Sequence, residues 1–159
     1  MILIKPNAKA ILSLKNIMFE AFTLRADTVE EQEENLRTLV RGLEESDRKF
    51  FFKRFSEQYK DPDTYAVLNF FFVGGLHHFY LKKHIRGFIN LSLSLSGILF
   101  MFAAPFQDNN DSQAGAFGAG ILILALITLI EIPNLFRSQT IAKDYNNRLS
   151  RKILHESSL

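Results

Sequence analysis

The chain has 159 residues, a net charge of +2 and no cysteine. The lack of cysteine excludes disulfides, thiolate metal sites and cysteine nucleophiles, and it fits a reducing compartment. The weak net charge, without a basic stripe, argues against a nucleic-acid-binding protein. Charge is segregated along the chain, because residues 1–63 are rich in it whereas residues 87–130 contain only Asp108 and Asp111. This segregation is typical of a membrane protein with a water-exposed head.

The first 60 residues predict a helical head. Met1–Pro6 lacks the long apolar core of a signal peptide, so we expect the head to stay in the cytosol. Residues 7–24 have helical apolar spacing, and Thr28 with Glu31 forms a capping-box signature for a second helix reaching about Glu45. The apolar stripe is Ile11, Leu14, Met18 and Phe22 in the first helix and Leu36, Leu39, Val40 and Leu43 in the second.

A third helix, from about Ser46 to Lys60, has an aromatic face. Phe51, Phe55 and Tyr59 recur at i, i+4 and i+8, with lysines on another face. Aromatic residues beside lysines suit a water–lipid boundary. The alternative is a small helical bundle that buries this face, because a head of this size needs its aromatic residues for a core.

Three apolar segments follow the head. Residues 87–107 and 112–130 each approach the roughly 20 residues that cross a bilayer as a helix. Residues 64–76 are too few for a full span and remain marginal if the segment extends to Leu81. The sequence therefore predicts an all-α integral membrane protein with two full transmembrane helices plus a short re-entrant or third spanning segment.

The basic residues orient these segments. If only the second and third segments span, the head, the turn at 82–86 and the chain after residue 136 share one side of the membrane. That side then holds all 19 Lys and Arg residues, and the loop at 105–113 holds none. This distribution obeys the positive-inside rule, so we favour two spans with the head and tail in the cytosol.

Polar and small residues within the two spans predict close helix packing. Asn90 and Ser94 lie on one face of the second segment. The third segment has small residues four apart, which permit helices to approach closely, either within one molecule or between copies. These pairs are Ala114 with Gly118 and Ala116 with Gly120.

The stretch Gly74–Leu81 reads Gly-Gly-Leu-His-His-Phe-Tyr-Leu, with Gly87 and Glu131 further along the chain. It resembles the TM-two domain family, in which a similar glycine- and histidine-containing turn joins two hydrophobic parts. The chain differs in having His78 where that family usually has Arg, Lys82 where Gly is common, and Glu131 in place of Asp. The resemblance covers about half of the chain. It implies a membrane fold and location rather than a reaction, since most members have no assigned activity.

Glu131 is the sharpest candidate for a functional role, because a carboxylate at membrane depth usually pairs or faces a cavity. His77, His78 and Arg86 are its expected partners. The alternatives are a glutamate that reaches the headgroup layer, a structural ion pair, and ion or proton handling.

The histidines suggest a metal site only weakly. His77, Tyr80 and His84 fall on one face if the segment is a continuous helix, but zinc needs three or four converging ligands. Adjacent His77 and His78 point roughly 100° apart on a helix, so they do not easily face one ion. We therefore expect no metal and no cofactor, and assign the histidines to hydrogen bonding at a helix end, with Phe79 and Tyr80 as interface anchors.

The glycine pair and the basic cluster of this region have simple interpretations. Gly74 and Gly75 permit a bend or close helix approach, and no Gly-Lys-Ser/Thr follows them to make a phosphate loop. Lys82, Lys83 and Arg86 fix topology or touch anionic lipid headgroups. No serine lies in a hydrolase elbow, so we name no catalytic residue.

These features predict three parts: a cytosolic helical head at 1–60, a membrane domain at 61–137, and a basic tail at 138–159 that is compatible with a further helix. The first functional hypothesis is a non-enzymatic, membrane-anchored interaction or scaffolding protein. Its expected partners are membrane lipids, a protein bound through the head and a second copy of the chain, but no nucleic acid. The alternatives are an oligomeric transport or pore component and a lipid-acting membrane enzyme.

Overall fold

The structure, a computed structural model, describes residues 23–71 and 74–157. Within these ranges the chain is helical and contains no strand. The predicted helix at 7–24 lies outside the described residues except for its last two positions. The helices are α1 (Ala26–Arg41), α2 (Glu45–Gln58), α3 (Pro62–Phe71), α4 (Leu76–Tyr80), α5 (His84–Ala103), a 3₁₀ turn (Ala104–Phe106), α6 (Asn110–Phe136) and α7 (Ser138–Ser157).

The two head helices begin earlier than the capping signals predicted. α1 starts at Ala26, so Thr28 does not cap it; the Thr28 amide instead donates to the Asp27 carboxylate at 2.8 Å. An acidic side chain in the first turn already satisfies this end of the helix dipole. α1 ends at Arg41, before the expected Glu45, because Gly42 closes it.

The basic tail forms α7, and α7 is the central helix of the head. Val40 of α1 and Phe51 of α2 pack with Leu149 and Ile153 of α7 in one buried cluster. The side-chain amide of Asn147 donates to the Val29 carbonyl at 2.8 Å, which also holds α1 on α7. The aromatic face of α2 is therefore partly used in a helical bundle, as the alternative interpretation expected.

The second and third apolar segments form a helical hairpin. Residues His84–Phe106 and Asn110–Phe136 are long and apolar enough to cross a membrane. Gly97 of α5 and Gly120 of α6 meet where the helices approach most closely, since a Cβ on Gly120 would lie 2.6 Å from the Gly97 carbonyl oxygen. The close-packing prediction for Gly120 therefore corresponds to a contact within one molecule.

The first apolar segment is two short helices whose outer ends meet. α3 has 10 residues and α4 has five, so neither approaches the length of a span. The Tyr80 hydroxyl at the end of α4 accepts a hydrogen bond from the Asp61 amide, just before α3, at 2.9 Å. The start of α3 and the end of α4 therefore lie together beside the head.

Candidate functional site: a buried carboxylate at the helical turn

Glycine allows α4 to lie directly against α5. Gly75 has a φ of +82°, and a Cβ there would lie 2.7 Å from the Cβ of Asn90. Gly87 of α5 faces the Phe79 ring, whose atoms would lie 2.7–2.8 Å from an added Cβ. The left-handed backbone at Gly75 and the absence of side chains at both positions bring the two histidines of α4 into the hairpin.

Both histidines form hydrogen bonds with Glu131 of α6. The Nε2 of His77 lies 3.0 Å from Oε2 of Glu131, and the Nε2 of His78 lies 3.1 Å from Oε1. His77 and His78 are 0% and 1% exposed, and Glu131 is 5% exposed. The contact therefore lies in the interior of the protein, where the effective dielectric constant is low and each hydrogen bond is strengthened.

Three further donors complete the surroundings of the carboxylate. Arg86 donates to Oε1 at 3.4 Å and the amide of Asn90 donates to Oε1 at 2.6 Å. The Asn134 side-chain amide, one turn along α6, donates to Oε2. Glu131 thus joins α4, α5 and its own helix, and Arg86 supplies the positive charge that a buried carboxylate needs.

The protonation of the histidines follows from the acceptor they share. A carboxylate can only accept hydrogen bonds, so both Nε2 atoms carry hydrogen. Burial lowers the pKa of His78 to about 4, although the hydrogen bond to Glu131 opposes this shift. His78 is therefore neutral near pH 7. Within the described part of the chain, Nδ1 of His77 is buried and has no hydrogen-bond partner.

The cluster has the ligand types of a metal site, but the lone pairs of its carboxylate are already used in hydrogen bonds. The candidate ligand atoms of His77, His78 and Glu131 lie within 4.8 Å of one another. However, a carboxylate offers about four acceptor positions, and five donors already point at its two oxygens. A cation here would also face the guanidinium of Arg86. The arrangement fits a hydrogen-bonded anion better than a metal centre.

A buried polar stripe continues from this cluster along α5. Arg86, Asn90 and Ser94 are spaced four residues apart, and all three are buried on the face towards α6. The Ser94 hydroxyl is buried without a hydrogen-bond partner among the described residues. The polar residues predicted at membrane depth thus line the inside of one hairpin.

A second contact region connects the α4 turn to the head. The Asn146 side chain of α7 accepts from the Lys60 amide at 3.0 Å and donates to the Lys60 carbonyl at 2.9 Å. The Lys60 ammonium lies 4.5 Å from the centre of the Tyr80 ring, whose hydroxyl accepts from Asp61. Tyr80, predicted as an interface anchor, therefore ties the turn to the segment between α2 and α3, which Asn146 of α7 also holds.

The structure brings together some of the predicted site residues and separates others. Glu131 contacts all three of its expected partners. Adjacent His77 and His78 were not expected to face one ion, because residues next to each other on a helix point roughly 100° apart. Their side chains nevertheless converge on the two oxygens of one carboxylate. His84 lies on α5 instead of on the helix of His77, because α4 ends at Tyr80 and Lys82 follows with a φ of 58°.

The basic cluster is also divided. Arg86 is buried on Glu131, whereas Lys82 is exposed and Lys83 is half-buried. Asn134 was not recognised as a site residue, although its position three residues after Glu131 places it on the same helical face.

Comparisons of the chain with protein-family models, with curated proteins and with solved structures found no match. The TM-two resemblance therefore rests on the residues quoted for it from the sequence, the turn at 74–81 with Gly87 and Glu131.

Proposed function

We propose that the chain is a membrane-anchored interaction protein whose α5–α6 hairpin holds a helical head at the cytosolic membrane surface. The observation that carries the proposal is the position of α7. It begins two residues after the end of α6 and forms the centre of the head bundle with α1 and α2. A spanning helix joined to the core of a soluble bundle is suited to presenting that bundle at a membrane.

The buried cluster supports this assignment because its role is structural: it joins α4, α5 and α6. Its carboxylate is fully engaged by Arg86 and by four other donors, the side chains of His77, His78, Asn90 and Asn134. His77 and His78 donate from Nε2 to Glu131, so only their Nδ1 atoms could act as a base, and both side chains are almost completely buried, out of reach of a lipid substrate. A lipid-acting enzyme that uses one of these histidines as base is therefore less compatible with the geometry.

The charge distribution supports a cytosolic head. The ends of the 62–80 segment meet at the head, and α7 packs on α1 and α2, which agrees with one common side for all 19 basic residues. Lys82, exposed beside the turn, is suited to contact with anionic lipid headgroups. Such contacts fix orientation and depth.

A transport or pore component is the second candidate, favoured by the buried stripe of Arg86, Asn90 and Ser94. The stripe faces α6 of the same hairpin, so a path through it would require the two helices to separate. Ion flux through liposomes containing the purified chain would favour this candidate over the interaction protein.

Lysine-reactive crosslinking of the full chain in its native membrane tests the proposed function. Five lysines of the described head can be crosslinked to a neighbouring protein, at positions 49, 53, 60, 143 and 152. We expect adducts between head peptides and a second protein. The proposal is wrong if the head lysines form no adduct with another protein while the chain supports ion flux.

A further inference from the structure

The head contains an open groove between α1 and α2. The groove has a volume of about 600 Å³, and residues of α7 form its floor. The floor extends from Gln139 to Ser150, which corresponds to about 17 Å along a helix at 1.5 Å per residue. A groove of this length accommodates about three turns of a second helix.

One wall of the groove is aromatic. Phe51 and Phe55 of α2 stack with ring centres 5.6 Å apart, and Tyr59 continues the row 5.5 Å further on. Phe51 is buried in the head core, but Phe52 and Tyr59 remain 55% and 46% exposed. Exposed aromatic residues along a groove favour binding of the apolar face of a helix.

The opposite edge of the groove is basic. Arg37 and Arg41 lie one turn apart on α1, and their side chains are 59% and 75% exposed. Arg37 is paired with Glu33, which also lines the groove, at 2.7 Å and with Glu34 at 3.6 Å, so an acidic ligand would share Arg37 with these two glutamates. Glu33 also lies 3.6 Å from Lys143. Arg41 is 3.9 Å from Glu34, beyond hydrogen-bond distance, so its donors remain available to a ligand.

We propose that the groove binds an amphipathic helix of another protein, with apolar side chains against the aromatic wall and acidic side chains towards Arg37 and Arg41. Acidic residues three or four apart on the partner would match the one-turn spacing of the two arginines. The proposal rests on the proposed function and gives its protein partner a chemical class and a binding surface.

Site-specific photocrosslinking tests the location. A photoreactive phenylalanine analogue replaces Phe52, which lines the groove, or Phe50, which is 41% exposed on the same helix but outside the groove. In native membranes we expect an adduct with a second protein from position 52 but not from position 50. Mass spectrometry should map the adduct to an amphipathic helix with acidic residues.

Several results would overturn the groove assignment. These are an adduct from position 52 to residues 7–22 of the same chain, an adduct to a second copy, equal yields from positions 50 and 52, and no adduct at all. If lysine crosslinking still joins the head to another protein in any of these cases, the groove proposal fails while the proposed function stands.

Designed peptides test the chemistry. The probes are two 14-residue helices with leucines at i, i+4 and i+7, one with glutamates and one with lysines on the flank. Fluorescence anisotropy with the full chain in detergent should show about a three- to tenfold preference for the glutamate peptide. The double variant Arg37→Glu/Arg41→Glu should reverse this preference.

Two single substitutions control the peptide experiment. Phe52→Ala should weaken binding of both peptides, and Leu39→Ala, 60% exposed and outside the groove, should change neither. Equal affinity for both peptides, or a preference that survives the double charge reversal, would contradict the proposal.

Discussion

The carboxylate of Glu131 holds three helices through its two oxygen atoms. A buried ion pair is a modest source of net stability when complete, but loss of one partner leaves an uncompensated charge. Here the removal of the negative charge would leave Arg86 buried beside four other side chains that also donate to the carboxylate, those of His77, His78, Asn90 and Asn134. The site is therefore more sensitive to substitution than its contact distances alone would indicate.

We expect Glu131→Gln to destabilise the chain by about 3–5 kcal/mol, because it removes the negative charge that Arg86 faces and turns one oxygen acceptor into a donor. Thermal unfolding of the full chain in detergent micelles measures this loss. The control is Glu45→Gln, which removes an exposed pair with Lys49 and should change stability by less than about 1 kcal/mol. Equal unfolding temperatures for the wild type and Glu131→Gln would contradict the structural role of the cluster.

His78 makes the stability depend on pH. Its pKa is about 4 in the folded chain, against 6.5 for an ordinary histidine, so the unfolded state binds a proton first as pH falls. The charged and titratable groups that face it are Glu131, Arg86 and His77. The stability that depends on neutral His78 is therefore complete above about pH 6.5. It is lost as pH falls through 4, and the total loss is about 3 kcal/mol.

Unfolding measured between pH 7.5 and pH 4 checks this dependence. We expect His78→Gln to reduce the loss of stability on acidification. The same pH dependence in the wild type and in His78→Gln would show that another group is responsible.

At the scale of elements, α5 and α6 depend on a single close approach. A Cβ on Gly120 would lie 2.5 Å from the Met101 side chain and 2.6 Å from the Gly97 carbonyl, whereas one on Gly118 would meet no atom within 4 Å. Gly120 and Gly118 therefore differ in environment although both belong to the small-residue pattern of the same helix.

We expect Gly120→Ala to destabilise the hairpin by about 1–3 kcal/mol, because the backbone of α5 would have to shift. Gly118→Ala should change stability by less than about 0.5 kcal/mol. Thermal unfolding in detergent compares the two variants directly. If Gly118→Ala were the more damaging change, its open face would be in contact with another molecule, and the intramolecular explanation would be wrong.

Sequence alone identified the elements whose signals are local. The α5 and α6 helices follow from length and hydropathy, and the pairing of Glu131 with His77, His78 and Arg86 follows from the cost of burying a lone carboxylate. The role of α7 was not predictable, because its contacts with Val29 and Phe51 join residues about a hundred positions apart. The capping signal at Thr28 failed because α1 begins two residues earlier.

At the scale of the whole molecule, the orientation across the membrane is the main expectation. The absence of cysteine permits single labelling sites, and Lys49, Asn110 and Lys152 are all exposed. We expect Lys49→Cys and Lys152→Cys to react with a membrane-impermeant thiol reagent only from the cytosolic side, and Asn110→Cys only from the other side. Reaction of Lys49→Cys and Lys152→Cys from opposite sides would exclude a hairpin of two spans.

The arrangement around Glu131 also has a consequence for biosynthesis. Arg86 precedes Glu131 by 45 residues and His77 precedes it by 54, so α4 and α5 emerge from the ribosome before their acceptor exists. Until α6 follows, the contact between the Arg86 guanidinium and the Glu131 carboxylate cannot form. We therefore expect truncation of the chain before residue 131 to leave α4 and α5 without the contact that joins them to α6.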